Sequence, residues 1–190
     1  MKYFYNVVAI IVLIAGSGIC QVPVVDEPPG GLKPAQPPPL SPPAQTSVTI
    51  AGQKITIKYS SPSIRKRVIF GGLVPYRQVW RAGANDATLL HTTADLEFNG
   101  LLVPKGDYSL FVWPEPQQWL LIINKQTGQS GLEYHQQQDL GRVPMELSHP
   151  PKTIERYKMT LSKGAGAEGE LQLAWENTVA KVGFTVRPPK

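Results

Sequence analysis

Sulfur chemistry is nearly absent from this chain: of 190 residues one is cysteine, Cys20, close to the N-terminus. A lone thiol cannot close an internal disulfide, so the stability of any fold has to come from a packed core. Acidic residues are missing from a long stretch. Between Glu27 and Asp86 there is no Asp or Glu, while Lys33, Lys54, Lys58, Arg65, Lys66, Arg67, Arg77 and Arg81 all fall there. Such a one-signed field suits an anionic molecule, a polysaccharide or a membrane surface; its plain alternative is a basic strand edge kept soluble. No apolar run reaches the roughly 18–20 residues of a membrane-crossing helix. His91, His135 and His149 lie far apart among unlike neighbours, so no metal site is predicted. Gly71-Gly72 runs into Leu73-Val74 and lacks the Lys-Ser/Thr of a phosphate loop, so no cofactor is predicted either. Nucleic acid is not expected as a partner, because there is no recognition helix and no repeated aromatic-basic pattern.

What is present divides into three parts. Met1-Lys2, the apolar residues 7–14 and the small residues Ala15 to Gly18 follow the order of a secretory signal, which assigns residues 1–20 to a signal peptide and the chain to the periplasm or the exterior. Cys20 stands where a lipid anchor would attach, which would be the only route to the membrane; the β-branched Ile19 before it argues for cleavage near Cys20-Gln21 without lipid. Nine of the 19 prolines lie in residues 21–45, so residues 21–46 read as a semi-rigid polyproline spacer. Residues 47–190 form the remaining unit, of a size for one domain.

Within that unit the periodicity is two. Residues 47–50 and 54–59 flank Ala51-Gly52-Gln53 as a hairpin, and 96–98 and 101–103 flank Asn99-Gly100, whose backbone preference matches a tight hairpin turn. Strands are also predicted at 87–93, 108–113, 119–124, 140–147, 153–161, 169–175 and 179–186. No helical period competes. The expected fold is all-β: a single-domain antiparallel β-sandwich or jelly roll. Trp113, Trp119 and Trp175 lie in apolar runs and read as core, whereas Trp80 lies outside such a run.

The stretch 71–88 is the candidate site. Glycines and Pro75 set its backbone, Tyr76 and Trp80 offer flat faces for stacking, and Arg81 and Asn85 offer directed hydrogen bonds. Arg65 and Arg67, if extended, share one face and place Arg67 nearby. A guanidinium binds carboxylate or phosphate through two parallel bonds. Arg67, Tyr76, Trp80, Arg81, Asn85 and Asp86 are therefore the candidate ligand-binding residues, for a small molecule or envelope glycan that is anionic or hydroxylated. The competing reading of Arg81 is a salt bridge to Asp86 or Asp107. Catalysis is less well supported: Ser60, Ser61, His91 and Asp86 supply the residue types of a hydrolytic triad, but no Gly-x-Ser-x-Gly elbow is present, and nothing fixes the spacing of Asp86 and Asp95 for glycoside cleavage. A non-catalytic binding module is the first reading; a hydrolase acting on envelope carbohydrate or peptide, and a structural surface protein, remain beside it.

The blocks Tyr59-Ser-Ser-Pro62, Ile69-Phe-Gly-Gly-Leu-Val-Pro75, Val79-Trp-Arg-Ala-Gly-Ala-Asn85, Gly106-Asp-Tyr-Ser-Leu-Phe111 and Leu173-Ala-Trp175, in this order and spacing, resemble the domain of unknown function 2911 family of exported bacterial proteins. The resemblance spans roughly residues 47–186 and implies a secreted β-rich domain with no established activity. One position departs: the family pattern has Glu after the loop Asn, and this chain has Asp86, whose shorter reach puts in doubt a role that needs a fixed distance.

Overall fold

A computed structural model describes residues 40–187. The expected signal peptide, Cys20 and most of the expected proline-rich spacer lie outside the described residues. Eleven strands follow in chain order: β1 (Pro43–Ile50), β2 (Gln53–Ser60), β3 (Thr88–Thr92), β4 (Leu96–Phe98), β5 (Leu101–Val103), β6 (Gly106–Pro114), β7 (Trp119–Asn124), β8 (Asp139–Ser148), β9 (Ile154–Lys163), β10 (Glu168–Glu176) and β11 (Thr178–Val186). A short 3-10 turn, Gln136–Gln138, precedes β8. The first strand opens at Pro43, before the expected residue 47. As an edge strand it tolerates proline at its first position, where no ladder donor is lost.

All pairings between these strands are antiparallel, in the order β1-β2-β3-β6-β7-β8-β11-β10-β9, with the β4–β5 hairpin attached through β4 to β11. The all-β architecture expected from turn spacing is what the chain adopts, and its two facing layers are opposite walls of one sheet curled nearly into a barrel. The ends of that sheet approach each other. The Ile64 amide donates to the Glu155 carbonyl at 2.8 Å, and the Tyr157 amide to Pro62 at 2.8 Å. Beyond them side chains take over: the Leu161 amide donates to Thr46 Oγ1 at 3.0 Å and the Met159 amide to Tyr59 Oη at 3.0 Å. These bonds occupy edge N–H groups that would otherwise template aggregation.

Alternation along each strand fills the interior. Ile55, Ile57 and Tyr59 of β2, Leu110 and Val112 of β6, Trp119, Leu121 and Ile123 of β7, Tyr157, Met159 and Leu161 of β9, and Leu171, Leu173 and Trp175 of β10 are all buried. The expected tight turns occur where chemistry favours them: Asn99 and Gly100 take φ of 45° and 88°. Phe111 is a buried residue of the opposite parity, packed 5.1 Å from Tyr134 beneath residues 125–138 on the outside of the sheet. Trp119 and Trp175 are interior, as expected; Trp113 is half-buried, with its indole nitrogen donating to Glu115.

Candidate functional site

Residues 61–87 leave β2 and return to β3 without regular structure, yet their geometry is tightly specified. Arg65, Lys66, Arg77, Ala82 and Asn85 all have positive φ, an uncommon conformation for residues with a Cβ. The Arg65–Lys66 pair forms a turn, so this segment is not extended and the two arginines do not alternate as expected. Arg65 donates to the Leu40 carbonyl, while Arg67 folds back on its own turn, donating to Ile64 O at 2.9 Å and Ser63 O at 2.8 Å. Next, residues 68–74 close on themselves: the Leu73 amide donates to Val68 O and the Val74 amide to Ile69 O. The Glu176 carboxylate accepts from the Ile69 amide at 2.9 Å, tying this loop to β10.

The chain then adds one rung beside β6. Trp80 and Val112 exchange both backbone bonds, at 2.8 and 2.7 Å, in the manner of an antiparallel pair. In such a rung successive side chains point to opposite faces. Trp80 turns inward and is only 8% exposed. Its ring stacks on Trp175 at 5.9 Å, meets Phe70, Trp119 and Tyr157 edge-on, and its indole nitrogen donates to Gly83 O at 3.0 Å. The expectation that Trp80 lies open as a stacking face is thus corrected: its ring is stacked on Trp175, its polar atom is engaged in the interior, and only a small part of it is left to line a hollow.

Arg81 emerges on the other side. It passes over Gly131, where any Cβ would overlap its side chain and the Asn85 carbonyl oxygen, so only glycine fits beneath it. Its Nε is buried without a hydrogen-bond partner, and burial lowers its pKa from the ordinary arginine value. Neither expected salt bridge forms: among the described residues no carboxylate pairs with Arg81, and Asp107 is bound instead to His91.

Two hollows meet at this residue. One, of about 330 Å³, is lined by Leu40, Ser41, Pro62, Arg67, Leu73, Val74, Trp80, Arg81, Gly83, Ala84, Asn85 and Trp175. The other, of about 200 Å³, is lined by Leu73, Val74, Pro75, Gln78, Val79, Trp80, Arg81, Phe111, Gly131, Leu132 and Tyr134. Leu73, Val74, Trp80 and Arg81 belong to both. Of the six candidate residues, Arg67, Trp80, Arg81 and Asn85 come together on the larger hollow, Trp80 as part of its floor.

Tyr76 and Asp86 do not join them. Tyr76 lies against Gly71 and lines neither hollow, because the turn through Arg77 carries it away. Asp86 is exposed, its backbone bridged to Ser130. Asn85 acts as a brace, its amide nitrogen donating to Ser60 Oγ at 3.2 Å and to Ser41 O at 3.4 Å. Phe111, Gly131, Leu132 and Tyr134 were not singled out as site residues from sequence; the Trp80–Val112 rung brings Phe111 of β6 to Arg81, and the path of the chain from β7 to β8 brings the other three.

The hydrolytic arrangement is not assembled. His91 faces Asp107 at 2.7 Å, Ser61 Oγ donates to the Tyr157 carbonyl and Ser60 meets Asn85. His91 and Asp107 instead share the outer face of β2, β3 and β6 with Lys54 and Lys58. No three His, Cys, Asp or Glu side chains among the described residues are grouped to hold a metal ion. No curated protein and no solved structure matches the chain. The sequence profile of the family described as "Protein of unknown function (DUF2911)" matches residues 41–184, a span that contains the entire crossover, every residue lining the two hollows except Leu40, and every strand except the last two residues of β11, and the chain belongs to that family.

Proposed function

We propose that this chain is an exported, non-catalytic binding module that holds an anionic or hydroxylated envelope molecule in the hollow floored by Trp80, with Arg81 as its principal contact. One observation carries this reading: a guanidinium lines the hollow without a carboxylate partner among the described residues, and its Nε is buried and unpaired. Leaving a buried donor unsatisfied costs about 1–3 kcal/mol, and a charge-assisted bond from an anion would offset that cost. Arg67 supports the same reading, because its bonds go to neutral carbonyls and no carboxylate among the described residues pairs with it. Export rests on the order of charged, apolar and small residues at the N-terminus.

The test is calorimetric titration with acetate, phosphate and glucuronate, with glucose as the neutral control. At least one anion is expected to bind the wild type, and Arg81→Met is expected to weaken it by about tenfold or more. The same substitution should leave the fold as stable or raise its stability by about 1 kcal/mol, since it removes an unsatisfied buried donor. Equal binding by Arg81→Met and wild type, or no binding of any anion or of glucose by the wild type, would overturn the proposal.

A further inference from the structure

We infer that the ligand is an amphiphile: a carboxylate held on Arg81 with an apolar chain running into the smaller hollow between Leu73, Phe111 and Leu132. The inference rests on the binding reading above and adds the chemistry of the rest of the ligand. Its basis is the way the two hollows are joined. The larger one holds the cationic and amide groups, Arg67, Arg81 and Asn85. The smaller one adds the side chains of Pro75, Val79, Phe111 and Leu132 to those of Leu73 and Val74, and Arg81 and Leu73 line both, so a molecule seated on the guanidinium has these apolar side chains beside it.

The surface around the hollows points the same way. Most large apolar side chains of this chain are buried, but Leu132 is 84% exposed and Leu73 48%. Leu40, the other strongly exposed leucine on these walls, borders the larger hollow. Isolated exposed leucines are ordinary; several gathered around one unpaired cation are the arrangement expected of a site that covers an apolar chain. The tyrosine on that wall is neutral: burial and the hydrogen bond to Asp139 push the Tyr134 phenol up to about 12. No acidic group lines either hollow, so nothing there repels a carboxylate.

The experiment is a titration of the full chain with butanoate, hexanoate, octanoate and decanoate below their micelle concentrations, with octanol as the uncharged control. Affinity is expected to rise about fourfold per methylene until the hollow is filled, the fold-change that burial of one CH₂ supplies. Octanol should bind at least tenfold more weakly than octanoate. Arg81→Met should abolish that difference, and Leu73→Ser/Leu132→Ser, both at exposed positions, should flatten the chain-length slope while acetate affinity is kept. Affinity independent of chain length would overturn this inference, as would octanol binding as tightly as octanoate or an unchanged slope in the double variant. If acetate or glucuronate binds through Arg81 without any gain from chain length, the amphiphile falls and the anion-binding reading stands. If neither an anion nor glucose binds the wild type, both fall.

Discussion

Two regions built from the same crossover, the aromatic interior behind Trp80 and the cleft in front of Arg81, differ in how completely their groups are satisfied. Behind the rung, Trp80 is in ring contact with Phe70, Trp119, Tyr157 and Trp175, and its one polar atom has an acceptor. In front of it, the next residue has no carboxylate partner among the described residues and no hydrogen-bond partner there for its Nε. A segment that can place one side chain so fully and leave its neighbour so incomplete is not short of packing options. The contrast separates what holds the fold from what is left over for a ligand, and it can be attacked from either side.

The largest effect is expected on the interior side. Trp80→Ala empties the middle of the aromatic cluster and should cost about 3–5 kcal/mol in chemical denaturation, the range for removing a buried aromatic ring. It also removes the floor of the larger hollow, so loss of binding in this variant says nothing specific about recognition. A cost near zero would mean that the interior is not the saturated region described here, and the comparison would lose its first half.

The cleft side breaks at Gly131. A methyl group there overlaps the Arg81 side chain and the Asn85 carbonyl oxygen, which also accepts the Gly131 amide at 3.2 Å. Gly131→Ala should therefore cost about 1–3 kcal/mol, as overpacking does, and displace the guanidinium. Anion affinity should fall together with stability, in contrast to Arg81→Met, where binding falls and stability does not. Matching stability curves for Gly131→Ala and wild type would show that Arg81 does not lie over this backbone.

How much of this could be read from the residues follows from the range of the interactions involved. Strands were legible because alternation is local, and Asn99-Gly100 fixed its hairpin through its own dihedral preferences. Arg81 and Trp80 were visible as unusual residues, but their opposite facing was not, since it depends on the Trp80 rung pairing with Val112, 32 positions away along the chain. Arg65 and Arg67 misled because an extended backbone was assumed where two consecutive left-handed residues make a turn. Leu132 and Tyr134 carry no local signal at all, and Phe111 only that of a strand. Their place beside Arg81 is set by strand order and by the loop laid over the outer face of β6. The His91–Asp107 pair was similarly hidden, being a cross-strand neighbour of β3 and β6 and not a sequence neighbour.

The smallest expected effect sharpens the boundary of the cleft and appears only at high pH. Tyr134 donates to Asp139 Oδ2 at 2.7 Å and accepts from Arg142 at 2.8 Å, and burial is the main cause of its shift up to about 12. An unfolded tyrosine ionises near 10. The folded chain therefore keeps this phenol neutral where the unfolded chain has lost its proton, so its contribution is complete below pH about 10 and drains away as pH rises toward about 12. Tyr157 and Tyr108 are shifted in the same direction by burial, so the wild type should lose melting temperature throughout this window. Tyr134→Phe keeps the ring against Phe111 and should cost about 1 kcal/mol at neutral pH for the lost hydrogen bond. Its melting temperature should then fall less steeply than the wild type's between pH 10 and 12, because one of the titrating phenols is gone. Parallel alkaline curves for the two proteins would mean that water reaches Tyr134 freely, and the wall separating the smaller hollow from solvent would have to be redrawn on that side.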